Sequence, residues 1–112
     1  MRTDLIRGHL DLLMLSVVAG GTTHGYAIAE ELRAKSGGEF DLREGTLYPA
    51  LYRLEAAGLL ASLWQDAGGR RRRVYRLTRP GRRALEGRTR EWAAFSRAVT
   101  NVIGATQWAD PA

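Results

Sequence analysis

The sequence predicts a mainly α-helical domain that carries one small β-hairpin. Three observations lead there. Apolar residues recur at helical spacing through the first half of the chain, in stretches cut apart at Gly20-Gly21, Gly37-Gly38 and Gly58. Two short runs of alternating apolar residues then flank Gly68-Gly69, the pattern of a hairpin. A long amphipathic stretch with near-heptad spacing closes the chain.

The first helix should run from about Leu5 to Val18. Ile6, Leu10, Leu13 and Val17 line one face, and Leu5, Leu12 and Leu15 widen it. So broad an apolar surface needs cover on two sides, one from the hairpin and one from a second copy. Gly20-Gly21 ends this helix, and Thr22 or Thr23 is expected to cap the next. The second helix spans about His24–Lys35, with Gly25, Ile28, Ala29 and Leu32 facing inward. Gly25 reads as a close-approach position, and Tyr26 is expected to be partly buried.

The third helix covers about Glu44–Ala57, with Leu47, Leu51 and Leu54 inward and Gly58 beyond its end. Two start signals conflict. Asp41 and Glu44 resemble a capping box, whereas Pro49 fits only a first turn and places the regular helix from Gly45–Thr46. The proline is given more weight. The hairpin strands follow at Leu60–Gln65 and about Arg72–Leu77. Thr78 caps the last helix, with Pro80 in its first turn. Leu85, Trp92, Phe95, Val99, Val102 and Thr106 form its apolar stripe. The stripe reads as a dimerisation seam, the alternative being a helix folded back on its own domain. Residues 1–79 are thus expected to form the core domain, 80–104 the dimerisation helix and 105–112 a flexible tail.

The 112 residues include no cysteine, which excludes disulfides and thiolate metal sites. The apolar run at Leu12–Ala19 is too short to span a bilayer and no signal-peptide pattern precedes it, so a cytoplasmic protein is expected. The two histidines, His9 and His24, have no ligand or triad spacing, and no paired carboxylates or phosphate loop occur. The sequence therefore predicts no enzyme, no metal and no cofactor.

Charge points to a different class. The net charge is +5, and ten arginines but one acid, Glu86, lie between Arg70 and Arg90. Four of them, Arg70–Arg73, leave the hairpin turn in succession. Such a tip is an anion-binding device, and a helix followed at once by a basic hairpin is the layout of a winged helix–turn–helix domain. In that layout the third helix enters a DNA major groove. Its outward residues are Thr46, Pro49, Ala50 and Arg53, with Arg43 and Glu44 just before. Arg43 suits guanine or phosphate, and Thr46 and Pro49 suit thymine methyls. Tyr48 is either a phosphate donor or a core-edge residue. Arg53 is either a phosphate contact or an intrahelical partner of Glu55. Arg70 and Arg71 suit a narrow minor groove; of Arg72 and Arg73, one should face phosphate and one should not.

The segments HGYAIAEEL (His24–Leu32), GTLYPALYRLEAAGLL (Gly45–Leu60) and GRRRRVYRLTRPGRRAL (Gly69–Leu85) resemble PadR-type transcriptional regulators. The Leu-Tyr-Pro within the third helix is the most specific element. The resemblance implies a compact homodimeric winged-helix repressor with one C-terminal dimerisation helix. Family members repress genes such as those for phenolic-acid detoxification and efflux, and many leave DNA on binding a small molecule. By position, Tyr48 and Pro49 fall on the DNA-reading helix and Gly69–Arg73 on the wing. Trp92 falls where some relatives stack planar ligands at the dimer seam, with Phe95 beside it; plain packing is the alternative. The arginine content of the wing exceeds the family pattern.

The sequence thus predicts a sequence-specific, double-stranded-DNA-binding repressor. It acts as a homodimer on a pseudo-palindromic operator and is released by a small planar or aromatic inducer. Leu5, Leu12, Leu85, Trp92, Phe95, Val99 and Val102 are its expected dimer contacts. A ligand-sensing dimer with only non-specific DNA affinity, or a general nucleic-acid-binding protein, is the alternative. The basic region holds no aromatic platform except Tyr75, which disfavours single-strand binding.

Overall fold

The computed structural model describes residues 9–104. Four helices and one hairpin follow in the predicted order: α1 (Leu10–Ala19), α2 (Gly25–Lys35), α3 (Glu44–Ala56), β1 (Leu60–Ala67), β2 (Arg70–Leu77) and α4 (Arg79–Ile103). Leu5 and the expected tail at 105–112 lie outside the described residues.

Helix α1 is the centre of the domain. It touches α2, α3, α4 and β2. Met14 and Leu15 are fully enclosed, and Leu10, Val17 and Val18 nearly so. The second cover expected from another copy comes partly from this chain's own α4, which packs along α1. Leu85, predicted at the dimer seam, accordingly packs against the chain's own core. The core is completed by Ile28 and Leu32 from α2, Leu47, Ala50, Leu51 and Leu54 from α3, and Leu60 and Tyr75 from the hairpin.

Neither threonine caps α2. His24 is the N-cap residue and makes no side-chain cap bond. The Thr22 hydroxyl instead donates to Glu31 at 3.1 Å, and the Thr23 carbonyl accepts the Tyr75 N–H at 2.7 Å. This last bond, with a bridge between His24 and Val74, fastens the head of α2 to the edge of β2.

Helix α3 begins at Glu44, earlier than Pro49 suggested, so the proline sits inside the helix. Pro49 is exposed, as is Gly45 one turn before it. The carbonyl that a proline leaves without its usual donor is the one at Gly45, and it lies at the surface. Ala50, expected outward, is buried beside Leu47 and Leu51. At the far end Leu59 N–H donates to the Leu54 carbonyl and Gly58 N–H to the Glu55 carbonyl, both at 3.0 Å. This is a Schellman motif, and Gly58 takes the left-handed backbone it requires, at φ 78°.

The chain then turns directly into β1. The strands pair in antiparallel register from Leu60–Leu77 out to Ala67–Arg70, longer than predicted by two residues on each strand. The turn is Gly68-Gly69 alone, at φ 58° and 79°. Two successive positive φ values make a type I′ turn, whose twist matches that of the strands it joins. Thr78 caps α4 as expected, accepting from Gly81 N–H at 3.0 Å, and its own hydroxyl donates to the Gly58 carbonyl at 2.6 Å.

Helix α4 runs on beyond the domain. Its 25 residues imply a length of roughly 37 Å. The radius of gyration is 16.4 Å, against about 13 Å for a compact chain of this size.

Candidate nucleic-acid interface

The hairpin, the head of α2 and Tyr48 of α3 border one open cleft of about 790 Å3. Its walls include His24, Tyr26, Tyr48, Trp64, Tyr75 and all four arginines Arg70–Arg73. The cleft arises because β2 is fastened to α2 only as far as Val74. Residues 70–73 run past that point, and their backbone edge toward the helices pairs with none of the described residues.

Strand alternation divides the arginines. Arg71 and Arg73 share a sheet face with Ser62, Trp64 and Tyr75, while Arg70 and Arg72 lie on the other with Leu63 and Gln65. Arg73 is engaged within the protein. Its Nε donates to Ser62 Oγ at 2.8 Å, and Nη2 lies 3.4 Å from Glu55 Oε2. Ser62 Oγ in turn donates to Glu55 at 2.6 Å. Arg70, Arg71 and Arg72 remain exposed. Of Arg72 and Arg73, it is Arg73 that a carboxylate on α3 holds within the protein.

On α3 the residues Arg43, Tyr48 and Pro49 are exposed and Thr46 half-buried. Gly25 permits the position of Tyr48. A Cβ at Gly25 would lie 2.7 Å from the Tyr48 ring and 3.0 Å from its hydroxyl oxygen. The tyrosine thus lies across the head of α2 and turns one edge to the cleft. Two further tyrosines join the surface without a signal in the motif pattern. Tyr26, expected to be partly buried, is 70% exposed, and Tyr52 is 75% exposed. Tyr52 follows Pro49 by three residues on the same helical face, and that spacing could have revealed it. Burial pushes the Tyr75 phenol above its ordinary value of 10.0, with Arg73 pulling in the opposite direction.

Arg53 is placed differently from its neighbours. Its guanidinium meets Asp11 of α1 at 2.7 Å, and Arg88 of α4 approaches the same carboxylate at 3.8 Å. Asp11 therefore links α1 to α3 and α4, and no ion pair between Arg53 and Glu55 occurs among the described residues.

A second group lies between α1 and α4. His9 meets Trp92 edge to face at 5.0 Å, and Phe95 lies 6.1 Å from Trp92. With Leu12, Arg88 and Glu91 they line a cavity of about 310 Å3. Beyond it the stripe of α4 is bare: Phe95 and Val99 are exposed and Val102 is 87% exposed. No group of three or more metal-ligating side chains occurs among the described residues. No helix among them is long and apolar enough to cross a membrane.

Comparison with known proteins decides the family. The model of the transcriptional regulator PadR-like family matches residues 14–87, from α1 into the first turns of α4. The chain belongs to the PadR-like family. Transcriptional regulator Rv3488 of Mycobacterium tuberculosis is 41% identical over 88% of this chain and 86% of that protein. A transcriptional regulator from Clostridium thermocellum superposes with a TM-score of 0.83 at 30% identity, covering 93% of this chain and 99% of that one. A PadR family regulator from Eggerthella lenta gives 0.77 at 34% identity, over 91% and 88% of the two chains. The fold is therefore the winged helix–turn–helix of PadR regulators, and the chain is a transcriptional regulator.

Proposed function

We propose that this PadR regulator is a homodimeric repressor. It binds a pseudo-palindromic operator with α3 in the major groove and the Gly68-Gly69 hairpin as a wing along the backbone. The observation that carries the reading is the shared cleft. Tyr48 of α3 and the three exposed arginines Arg70–Arg72 line it together, so one stretch of duplex can meet both. Arg43, Thr46, Tyr48 and Pro49 are the proposed α3 contacts. Arg53 is a further proposed contact, its pair with Asp11 being a weak surface bridge.

Dimerisation is supported by the bare stripe of α4. Trp92, Phe95, Val99 and Val102 recur at 3-4-3 spacing on a helix that projects from its domain. A second copy of that stripe, with Leu12 of α1, is its natural cover. Release by a small planar or aromatic ligand is supported by the cavity at His9, Trp92 and Phe95. A ligand there would change the spacing of the two domains, provided it prefers the DNA-incompetent arrangement.

The test is a titration of the DNA upstream of the protein's own gene against a shuffled duplex and a single strand. Preference for the upstream duplex by at least about a thousandfold supports a specific regulator. Equal affinity for both duplexes points to a ligand sensor with non-specific DNA affinity. Equal affinity for the single strand points to a general nucleic-acid-binding protein.

A further inference from the structure

Trp64 is 52% exposed on the wing and is not part of the core cluster. A half-exposed tryptophan on a hairpin needs a reason, and its neighbours supply one. The guanidinium carbons of Arg71 and Arg73 each lie 5.2 Å from the centre of its ring. That is within the range of attraction between a cation and an aromatic face. Strand register produces the arrangement. Trp64 is directly opposite Arg73, and Arg71 is its diagonal neighbour on the same sheet face.

The two arginines differ in what else they touch. Arg73 is tied to Glu55 and Ser62. Arg71 is exposed and has no carboxylate partner among the described residues. A row therefore runs outward from α3: Glu55, Arg73, Trp64, Arg71. The four successive guanidinium groups that leave the two-residue turn along β2 repel one another and sample many rotamers. The indole opposes both tendencies for one of them.

We propose that Trp64 is a positioning residue for DNA binding. Its indole holds the Arg71 guanidinium at the mouth of the cleft, ready for a backbone phosphate. The proposal rests on the DNA-binding reading above and assigns a role within it. Arg71 then loses less rotamer freedom on binding than Arg70 or Arg72, which have no aromatic neighbour on their sheet face.

The test is a double-mutant cycle on a fluorescein-labelled duplex of mixed sequence, followed by anisotropy at low ionic strength. The chains are the parent, Trp64→Leu, Trp64→Phe, Arg71→Ala and the double variant Trp64→Leu/Arg71→Ala. Trp64→Leu is expected to weaken binding about two- to fivefold per wing, the scale of an exposed cation–aromatic interaction. Trp64→Phe, which keeps an aromatic face, is expected to lose less. In the Arg71→Ala background Trp64→Leu is expected to cost nothing more. Thermal melts of each variant identify any chain that fails to fold, and Trp64→Phe then carries the comparison with Arg71→Ala alone. An equal loss in both backgrounds would mean that Trp64 meets DNA by itself or only supports the hairpin, and would overturn the proposal. A parent chain that ignores duplexes altogether would instead sink the DNA-binding reading, and this one with it.

Discussion

Two glycines of the same helix make opposite predictions. Gly81 lies in the first turn of α4, buried against the Schellman turn of α3. A Cβ there would run into the carbonyl oxygen of Leu59, with the carbonyl carbon 2.9 Å away. That carbonyl belongs to a backbone already fixed at both ends. Leu59 N–H donates to Leu54, and its carbonyl accepts Thr78 N–H at 3.2 Å. Relief in Gly81→Ala therefore requires the head of α4 to lift. The bonds from Thr78 to Leu59 and Gly58 then stretch or break, each worth about 1 kcal/mol. Forced overpacking costs about 1–3 kcal/mol, and alanine returns at most about 1 kcal/mol of helix propensity. The net loss is about 2–4 kcal/mol, or a fall in Tm of roughly 8–16 °C for a domain of this size. Gly87, two turns on, has no atom within 4 Å of its Cβ position. Gly87→Ala should therefore raise Tm by a few degrees, from the same propensity gain of about 1 kcal/mol. Thermal melts followed by circular dichroism at one protein concentration decide the matter. A Gly81→Ala chain that melts at or above the parent would refute the packing argument.

Arg70→Ala/Arg71→Ala should weaken binding to all duplexes. It should also flatten the dependence of log K on log salt by up to about 0.9 for each phosphate no longer neutralised; an unchanged slope would show that the wing does not reach the backbone. Val99→Glu/Val102→Glu puts charge on the bare stripe of α4 and should give a monomer by light scattering, with the circular dichroism of the domain retained. Asp11→Asn releases Arg53 and Arg88, and both partners are exposed enough for the loss to stay below about 1 kcal/mol by denaturant titration. Burial raises the Tyr75 phenol, so the folded chain keeps that proton longer than the unfolded one. Its contribution is complete below the ordinary tyrosine value of 10.0 and fades as pH climbs through the raised one. Tyr75→Phe should make stability less sensitive to pH in that alkaline window.

The order of elements is legible in the sequence because each break carries its own chemistry. Gly58 and Gly68-Gly69 stand where a helix end and a type I′ turn require them, and Thr78 with Pro80 opens α4. Local signals mislead where tertiary packing overrides them. Pro49 argues for a late start to α3, yet its place on the solvent side lets the helix begin at Glu44. The leucine pattern alone places Ala50 outward, but a small residue fits the crowded flank beside Leu47 and Leu51. The arginine tip marks the candidate interface in the sequence, while its internal division does not show. Which arginine is withheld depends on Glu55, Ser62 and Trp64, brought together only by strand register and by the corner between α3 and β1. Arg53 meets Asp11 across 42 residues of sequence, a pairing no local pattern could reveal.

In the proposed assembly two copies, joined through α4, present two reading helices and two wings to one duplex. Hydroxyl-radical footprinting on the DNA beside the protein's own gene checks that arrangement. Two protected half-sites related by a two-fold axis are expected, with centres about 10 base pairs or a small multiple of that apart. Protection of a single half-site, or uniform protection indifferent to sequence, would contradict it.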